Sequence, residues 1–229
     1  MAVYGGSKSN SALSFAVERD NLLQCYDAFE STGSLHFPDM AKVYTGAEAS
    51  STPTLNTTDG VGSNKIKYFT LDGSDYFEFE AYVQPNICSL STWIRINDTN
   101  ALETLSSHIS GGPVVSYYAI QTTGYMVFGY YDDTWRTVTG TGSVVDDNVW
   151  HHCVFARSGT NHRFYVDGSL DTNLTMDAAV GGTINTIGSK WGGADKFTGD
   201  IAHFSMYSVQ LSATQVSDMY ESQRSRFGV

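Results

Sequence analysis

Three groups of side chains in this 229-residue chain have types and spacings that can do chemistry. The first is aromatic: Tyr117, Tyr125, Tyr131 and Trp135, with Asp132 and Asp133 between the last two and Trp191 further on. The C–H face of a sugar packs on an aromatic ring while carboxylates orient its hydroxyls, so these seven residues are the expected carbohydrate site. Tyr and Trp also build strands and cores for packing reasons alone, and that is the plainer account of the group. The second group is acidic. Hard cations take several oxygen ligands from loops, and Asp72, Asp75 and Asp195 are the candidate metal ligands, each equally at home as a turn former. The third group holds Glu78-Phe79-Glu80 and His151-His152. Glu78 and Glu80 share a strand face, as a catalytic acid pair would, but a solvated face explains them more simply. Adjacent strand residues point opposite ways, so His151 and His152 do not share one ion. His152 reads as a hydrogen-bonded structural histidine. No Gly-x-Ser-x-Gly elbow is present.

These residues need strands to carry them. Val114–Gln121, Tyr125–Tyr131 and Trp135–Val138 are β-prone runs joined by Thr122-Thr123-Gly124 and Asp132-Asp133-Thr134, the pattern of a meander. Trp150–Ala156 and Phe164–Val166, joined through Ser158-Gly159, form a central hairpin that closes on Asp167-Gly168. Trp150, His152, Val154 and Ala156 share one face of that hairpin, with Cys153 and Phe155 on the other, so both faces should be covered. Further strands are expected at Leu22–Asp27, on either side of the Asp72-Gly73-Ser74-Asp75 turn, at Ile87–Ile96, Thr183–Gly188 and Ile201–Tyr207. Residues 31–64 read as a long connection with little periodicity. One helix is expected near the C-terminus: Ser212 caps it, Gln215 completes a capping box, Leu211 staples onto Val216, and Val216, Met219 and Tyr220 form its apolar stripe. It should cover an open end of the sandwich.

Size and charge narrow the alternatives. The chain fits one large all-β domain over residues 15–229 behind a polar arm at 1–14. A formal charge of −11 argues against nucleic acid, which needs a basic footprint. No apolar run approaches the ~18 residues of a membrane span, and the start lacks the basic and apolar regions of a signal peptide. Synthesis in the cytosol is therefore expected. Cys25, Cys88 and Cys153 match no zinc spacing.

The motifs in order also carry a family resemblance. Trp150-His151-His152, the Gly turn and Tyr165-Val166-Asp167-Gly168 resemble the core hairpin of laminin-G-like domains in the concanavalin A-like lectin/glucanase superfamily. Phe69–Phe77, Ser91–Ile94, Ile187-Gly188, Phe197–Ile201 and the Leu211-Ser212-Ala213 helix start extend it over roughly the last 160 residues. The resemblance implies a two-sheet antiparallel jelly-roll sandwich with one short C-terminal helix, sugar binding in many members, and Ca²⁺ at a rim in some. The glucanases of that superfamily carry a Glu-x-Asp-x-x-Glu strand that this chain lacks, so no enzyme is expected. The tail Arg224–Gly228 is similar to the ends of laminin-G-like domains in tailed-phage structural proteins. The expectation is a non-catalytic virion surface protein that binds a host glycan, its partners being other virion proteins or further copies of itself. A stand-alone lectin module is the alternative, with a glycoside hydrolase behind it.

Overall fold

The computed structural model describes residues 21–28, 31–33, 36–37, 46–59, 65–97, 101–108, 115–176, 182–190 and 193–229. The proposed arm at 1–14 and Trp191 lie outside the described residues. In chain order the strands are β1 (Leu22–Asp27), β2 (His36–Phe37), β3 (Ala47–Ala49), β4 (Thr54–Asp59), β5 (Lys65–Asp72), β6 (Phe77–Val83), β7 (Ile87–Arg95) and β8 (Glu103–Ser106). They continue as β9 (Val115–Ile120), β10 (Met126–Tyr131), β11 (Trp135–Thr139), β12 (Trp150–Ser158), β13 (Asn161–Val166), β14 (Ser169–Thr175), β15 (Thr183–Ile187) and β16 (Thr198–Tyr207), followed by helix α1 (Ala213–Phe227).

Among the described residues two eight-stranded sheets result. One runs β14-β13-β12-β7-β16-β5-β4 with β1 also on β16; the other runs β11-β10-β9-β15-β6-β3-β2 with β8 on β9. All described pairings are antiparallel except the single β15–β9 contact. Leu90, Ile94, Cys153, Phe155, Phe204 and Met206 of the first sheet meet Phe77, Tyr118, Ile120, Phe128 and Ile184 of the second in one core. Ringed contacts such as Tyr118 on Phe155 (5.2 Å) and Phe69 on Phe77 (4.8 Å) cross between the layers. This is the expected sandwich. The meander and the central hairpin are present as expected, both antiparallel.

Strands β8 and β14 go beyond the sequence reading, and three further features depart from it. Residues 31–64 are not a bare connection, because β2, β3 and β4 lie within them. The strands around the Asp72 turn do not pair with each other: β5 joins β4 and β16, while β6 joins β15 and β3. The turn hands the chain from one sheet to the other. Helix α1 covers the outer face of the first sheet rather than an end of the sandwich.

The helix's placement follows from its own repeat. Ser212 accepts from the Gln215 N–H and Gln215 reciprocates, so the capping box holds; Gly228 ends the helix in the left-handed conformation. Asp27, His203, Trp93 and His152 form one row across β1, β16, β7 and β12. Three residues of helix rise about 4.5 Å, close to the ~4.8 Å between strands. Successive positions on one helix face therefore meet successive strands. Tyr220 stacks toward His152 (6.3 Å), Gln223 accepts from the Trp93 indole N–H (2.6 Å), and Arg226 Nη1 donates to Asp27 (3.4 Å). Phe227 lies flat on Trp93 at 3.9 Å and against Trp150 at 5.1 Å. Trp150 is thus buried between sheet and helix, which explains why the central hairpin is apolar on both faces.

Candidate functional site

With one sheet roofed by α1, the outer face of the other becomes the place to look. Residues paired across antiparallel strands share a face. The register Tyr117↔Gly129↔Thr137 and Val115↔Tyr131↔Trp135 places Tyr117, Tyr131 and Trp135 together on the outer side of β9, β10 and β11. Their alternate neighbours Tyr118, Phe128 and Val138 point into the core.

The rings form a corner. Trp135 stands edge-on to Tyr117 at 5.7 Å and beside Tyr131 at 5.0 Å, and is 43% exposed on the strand that borders the sheet. Tyr117 is buried, because it lies over Gly129: a Cβ on Gly129 would sit 2.0 Å from Tyr117 Cε1. Glycine in a strand interior marks a close approach of this kind. The Lys190 ammonium lies over the same tyrosine ring at 4.7 Å and 5.5 Å from the Trp135 ring. With backbone beneath and a cation above, Tyr117 is the support of the corner; Trp135 and Tyr131 are the surfaces it offers.

Lys190 and Asp195 bring the polar groups. Asp195 Oδ2 accepts from Lys190 Nζ at 2.8 Å. Burial, with the Asp195 charge adding to it, pushes the Tyr117 phenol up. Asp132 pairs with Arg136 in the β10–β11 turn, and Asp133 beside it is exposed with φ 68°. The register and the Lys190 contacts thus bring together three expected residues, Tyr117, Tyr131 and Trp135, with Asp195 from the metal set; Asp132 and its partner Arg136 lie toward Tyr130 on the other face, and Asp133 is an exposed turn residue. Tyr125 stands apart: it precedes β10 at the other end of that strand, six residues and roughly 20 Å from Tyr131. Lys190 and Gly129 escaped the sequence reading. The Gly129 signal was present, since it interrupts the outward series Val127, Gly129, Tyr131.

The other acidic candidates have local partners. Asp72 accepts from the Ser74 N–H (2.8 Å) and hydroxyl (2.6 Å), which holds its carboxyl below the ordinary range. Asp75 is buried and accepts from the Thr52 N–H (3.1 Å). Among the described residues no three His, Cys, Asp or Glu side chains converge as a metal site requires.

The histidines and acids with catalytic potential are structural in their surroundings. His151 bridges Asp167 (2.8 Å) and Asp147 (3.1 Å); burial opposes its charge, but the two carboxylates outweigh it and raise it. His152 bonds Ser91 Oγ at 2.8 Å, and burial pushes it down to about 3. Ser205, His203 and Asp27 adjoin (3.1 and 3.6 Å) but are shut beneath α1, each at most 1% exposed. Glu78 and Glu80 point outward from β6, with Glu48 of β3 opposite Glu78.

The sequence profile of the laminin-G family, described as the concanavalin A-like lectin/glucanases superfamily, matches residues 71–217. The chain belongs to this superfamily. No curated protein is matched by sequence. Among solved structures, the laminin-G-like chain is similar to domain 4 of AbnA, a GH43 extracellular arabinanase from Geobacillus stearothermophilus, determined with arabinotriose. The TM-score is 0.68 at 16% identity, over 87% of this chain and 98% of that one. It is similar also to the binding domain of Paraclostridial Mosquitocidal Protein 1 (TM-score 0.63, 14% identity, 89% of this chain and 52% of that). A third is botulinum neurotoxin type C, whose structure concerns cell entry dependent on two ganglioside molecules (TM-score 0.62, 14% identity, 90% and 52%). The chain thus spans about half of each toxin structure, and at these identities the likeness is one of fold. Among the described residues no helix is long and apolar enough to cross a membrane.

Proposed function

We propose that this laminin-G-like domain is a non-catalytic carbohydrate-binding module that takes a saccharide on the corner formed by Trp135 and Tyr131. The observation that carries the reading is the exposed Trp135 ring, braced from the side by Tyr117 and Tyr131 and set next to the Lys190–Asp195 pair. An indole held rigidly at a sheet border loses little entropy on stacking a sugar, and the neighbouring carboxylate accepts from its hydroxyls. The arabinotriose bound by the arabinanase domain and the ganglioside dependence of the type C neurotoxin support a glycan ligand for this architecture.

Glycan-array screening followed by calorimetric titration tests the proposal. Wild-type protein should bind at least one oligosaccharide, and Trp135→Ala should weaken it by about thirtyfold, roughly 2 kcal/mol, while the folded state is retained. Retained affinity in Trp135→Ala would place the site elsewhere. Running each titration with and without Ca²⁺ tests the cation proposed for Asp72, Asp75 and Asp195. The virion setting is a separate proposal of location, resting on the phage-like C-terminal motif, and proteomics of purified particles decides it.

A further inference from the structure

The charges around the indole carry information about the ligand. Among the described residues two ionisable side chains are placed at the aromatic corner, Lys190 over the rings and Asp195 on Lys190, while Asp132 and Asp133 lie in the adjoining β10–β11 turn and Arg136 pairs with Asp132. Both cations are engaged by carboxylates, Lys190 by Asp195 and Arg136 by Asp132. The two members of the first pair differ in what they show to solvent. The Lys190 side chain is 12% exposed, its ammonium turned in over Tyr117, whereas the Asp195 side chain is 40% exposed. The pair therefore presents its carboxylate outward. Asp133 adds a second exposed carboxylate from the β10–β11 turn, and the chain as a whole carries a formal charge of −11.

From this arrangement we infer that the corner takes a neutral saccharide and turns away sugars that carry a carboxylate or sulfate. The inference rests on the carbohydrate reading above and specifies its ligand class. A neutral sugar donates hydroxyl hydrogens to the outward oxygens of Asp195 while its C–H face lies on Trp135. An acidic sugar at the same place meets the Asp195 carboxylate at like charge. It gains nothing from Lys190 unless it displaces Asp195, the carboxylate already paired with that ammonium. Like charges a few ångströms apart at a partly exposed surface cost about 1.4 kcal/mol, which corresponds to about tenfold in affinity. That penalty is sensitive to salt, because exposed charges are screened over a Debye length that shrinks from about 20 Å near 20 mM to about 6 Å near 300 mM.

The test is calorimetric titration of wild-type protein with neutral arabino-, gluco-, galacto-, manno- and xylo-oligosaccharides of about three to six units, each beside an equivalent bearing uronate or sialic acid. Titrations run at ~20 and ~300 mM NaCl. A neutral sugar should bind about tenfold tighter than its acidic equivalent at low salt. Its affinity should be indifferent to salt, and that of the acidic sugar should rise with salt. Asp195→Asn, which keeps an acceptor oxygen and removes the charge, should narrow the gap several-fold. An acidic sugar that binds more tightly, with affinity falling as salt rises, would make Lys190 an anion receptor and overturn the inference while leaving the carbohydrate reading standing. Failure of every sugar of both classes to bind would overturn both.

Discussion

Replacing Glu103 by Gln should change the protein's pH dependence in a way that can be worked out in advance. Glu103 lies on β8 in the sheet that bears the aromatic corner, and its Oε2 accepts from the backbone N–H of Thr198 at 2.5 Å. Thr198 begins β16 of the opposite sheet, directly after the loop that carries Lys190 and Asp195. The carboxyl is 3% exposed, and burial raises it from 4.5 to about 7, the Thr198 bond opposing only part of that rise. The folded protein thus holds the Glu103 proton over a pH range where the unfolded chain has released it. Stability falls as pH rises from about 4.5 to about 7 and stays low above that. At ~1.4 kcal/mol per pH unit the loss amounts to about 3 kcal/mol. Two buried histidines act in the opposite sense: His152 is pushed down to about 3 and His162 to about 4, so both disfavour the folded state as pH drops below 6.5. Wild-type stability alone therefore hides the effect, and the quantity to measure is the difference between Glu103→Gln and wild type. Gln keeps an acceptor for Thr198 and does not titrate. Urea denaturation at intervals from pH 4.5 to 8 should show the variant gaining on wild type by about 3 kcal/mol across the range. A difference that stays flat with pH would refute the reasoning, because the histidine contributions cancel in it.

Three other substitutions test separate parts of the structure. Gly129→Ala forces the Tyr117 ring off its seat, since the new Cβ would lie 2.0 Å from Cε1. Losing the edge contact to Trp135, worth ~1 kcal/mol, should lower saccharide affinity about fivefold in calorimetry with only a small change in Tm. Phe227→Ala removes the ring stacked on Trp93 at 3.9 Å and should cost ~3–5 kcal/mol by urea denaturation. It should leave saccharide affinity intact, because α1 roofs the other sheet. His152→Gln should remove about 2 kcal/mol of the stability that wild type loses between pH 6.5 and 5, again by urea denaturation.

Much of the fold was legible because period and turn chemistry agreed. The β9–β10–β11 meander and the β12–β13 hairpin alternate or run apolar between turn-forming residues, and α1 announces itself through Ser212 and Gln215. The strands that escaped carry polar sequences. β4 reads Thr-Leu-Asn-Thr-Thr-Asp at a sheet edge, where little packing demands apolar side chains. β8 reads Glu-Thr-Leu-Ser although all four residues are buried, Glu103 accepting from the Thr198 N–H and Ser106 donating to the Thr186 carbonyl. Which sheet a strand joins is illegible in its alternation, so the split of β5 from β6 needed coordinates. For the site, parity along β10 and β11 was enough to bring Tyr131 and Trp135 together. It could not reveal that Lys190 and Asp195 come to Tyr117, because those contacts span more than seventy residues of sequence.

The central claim is that Trp135 is the ring on which a sugar rests. The chain has four tryptophans, so a ¹⁵N spectrum offers their indole N–H resonances as separate reporters, with Trp135→Phe identifying the one of interest. Titrated with the tightest neutral oligosaccharide, the Trp135 signal should shift and saturate, while those of Trp93 and Trp150, buried beneath α1, stay in place. Saturable shifts at Trp93 or Trp150 with Trp135 unmoved would contradict the account.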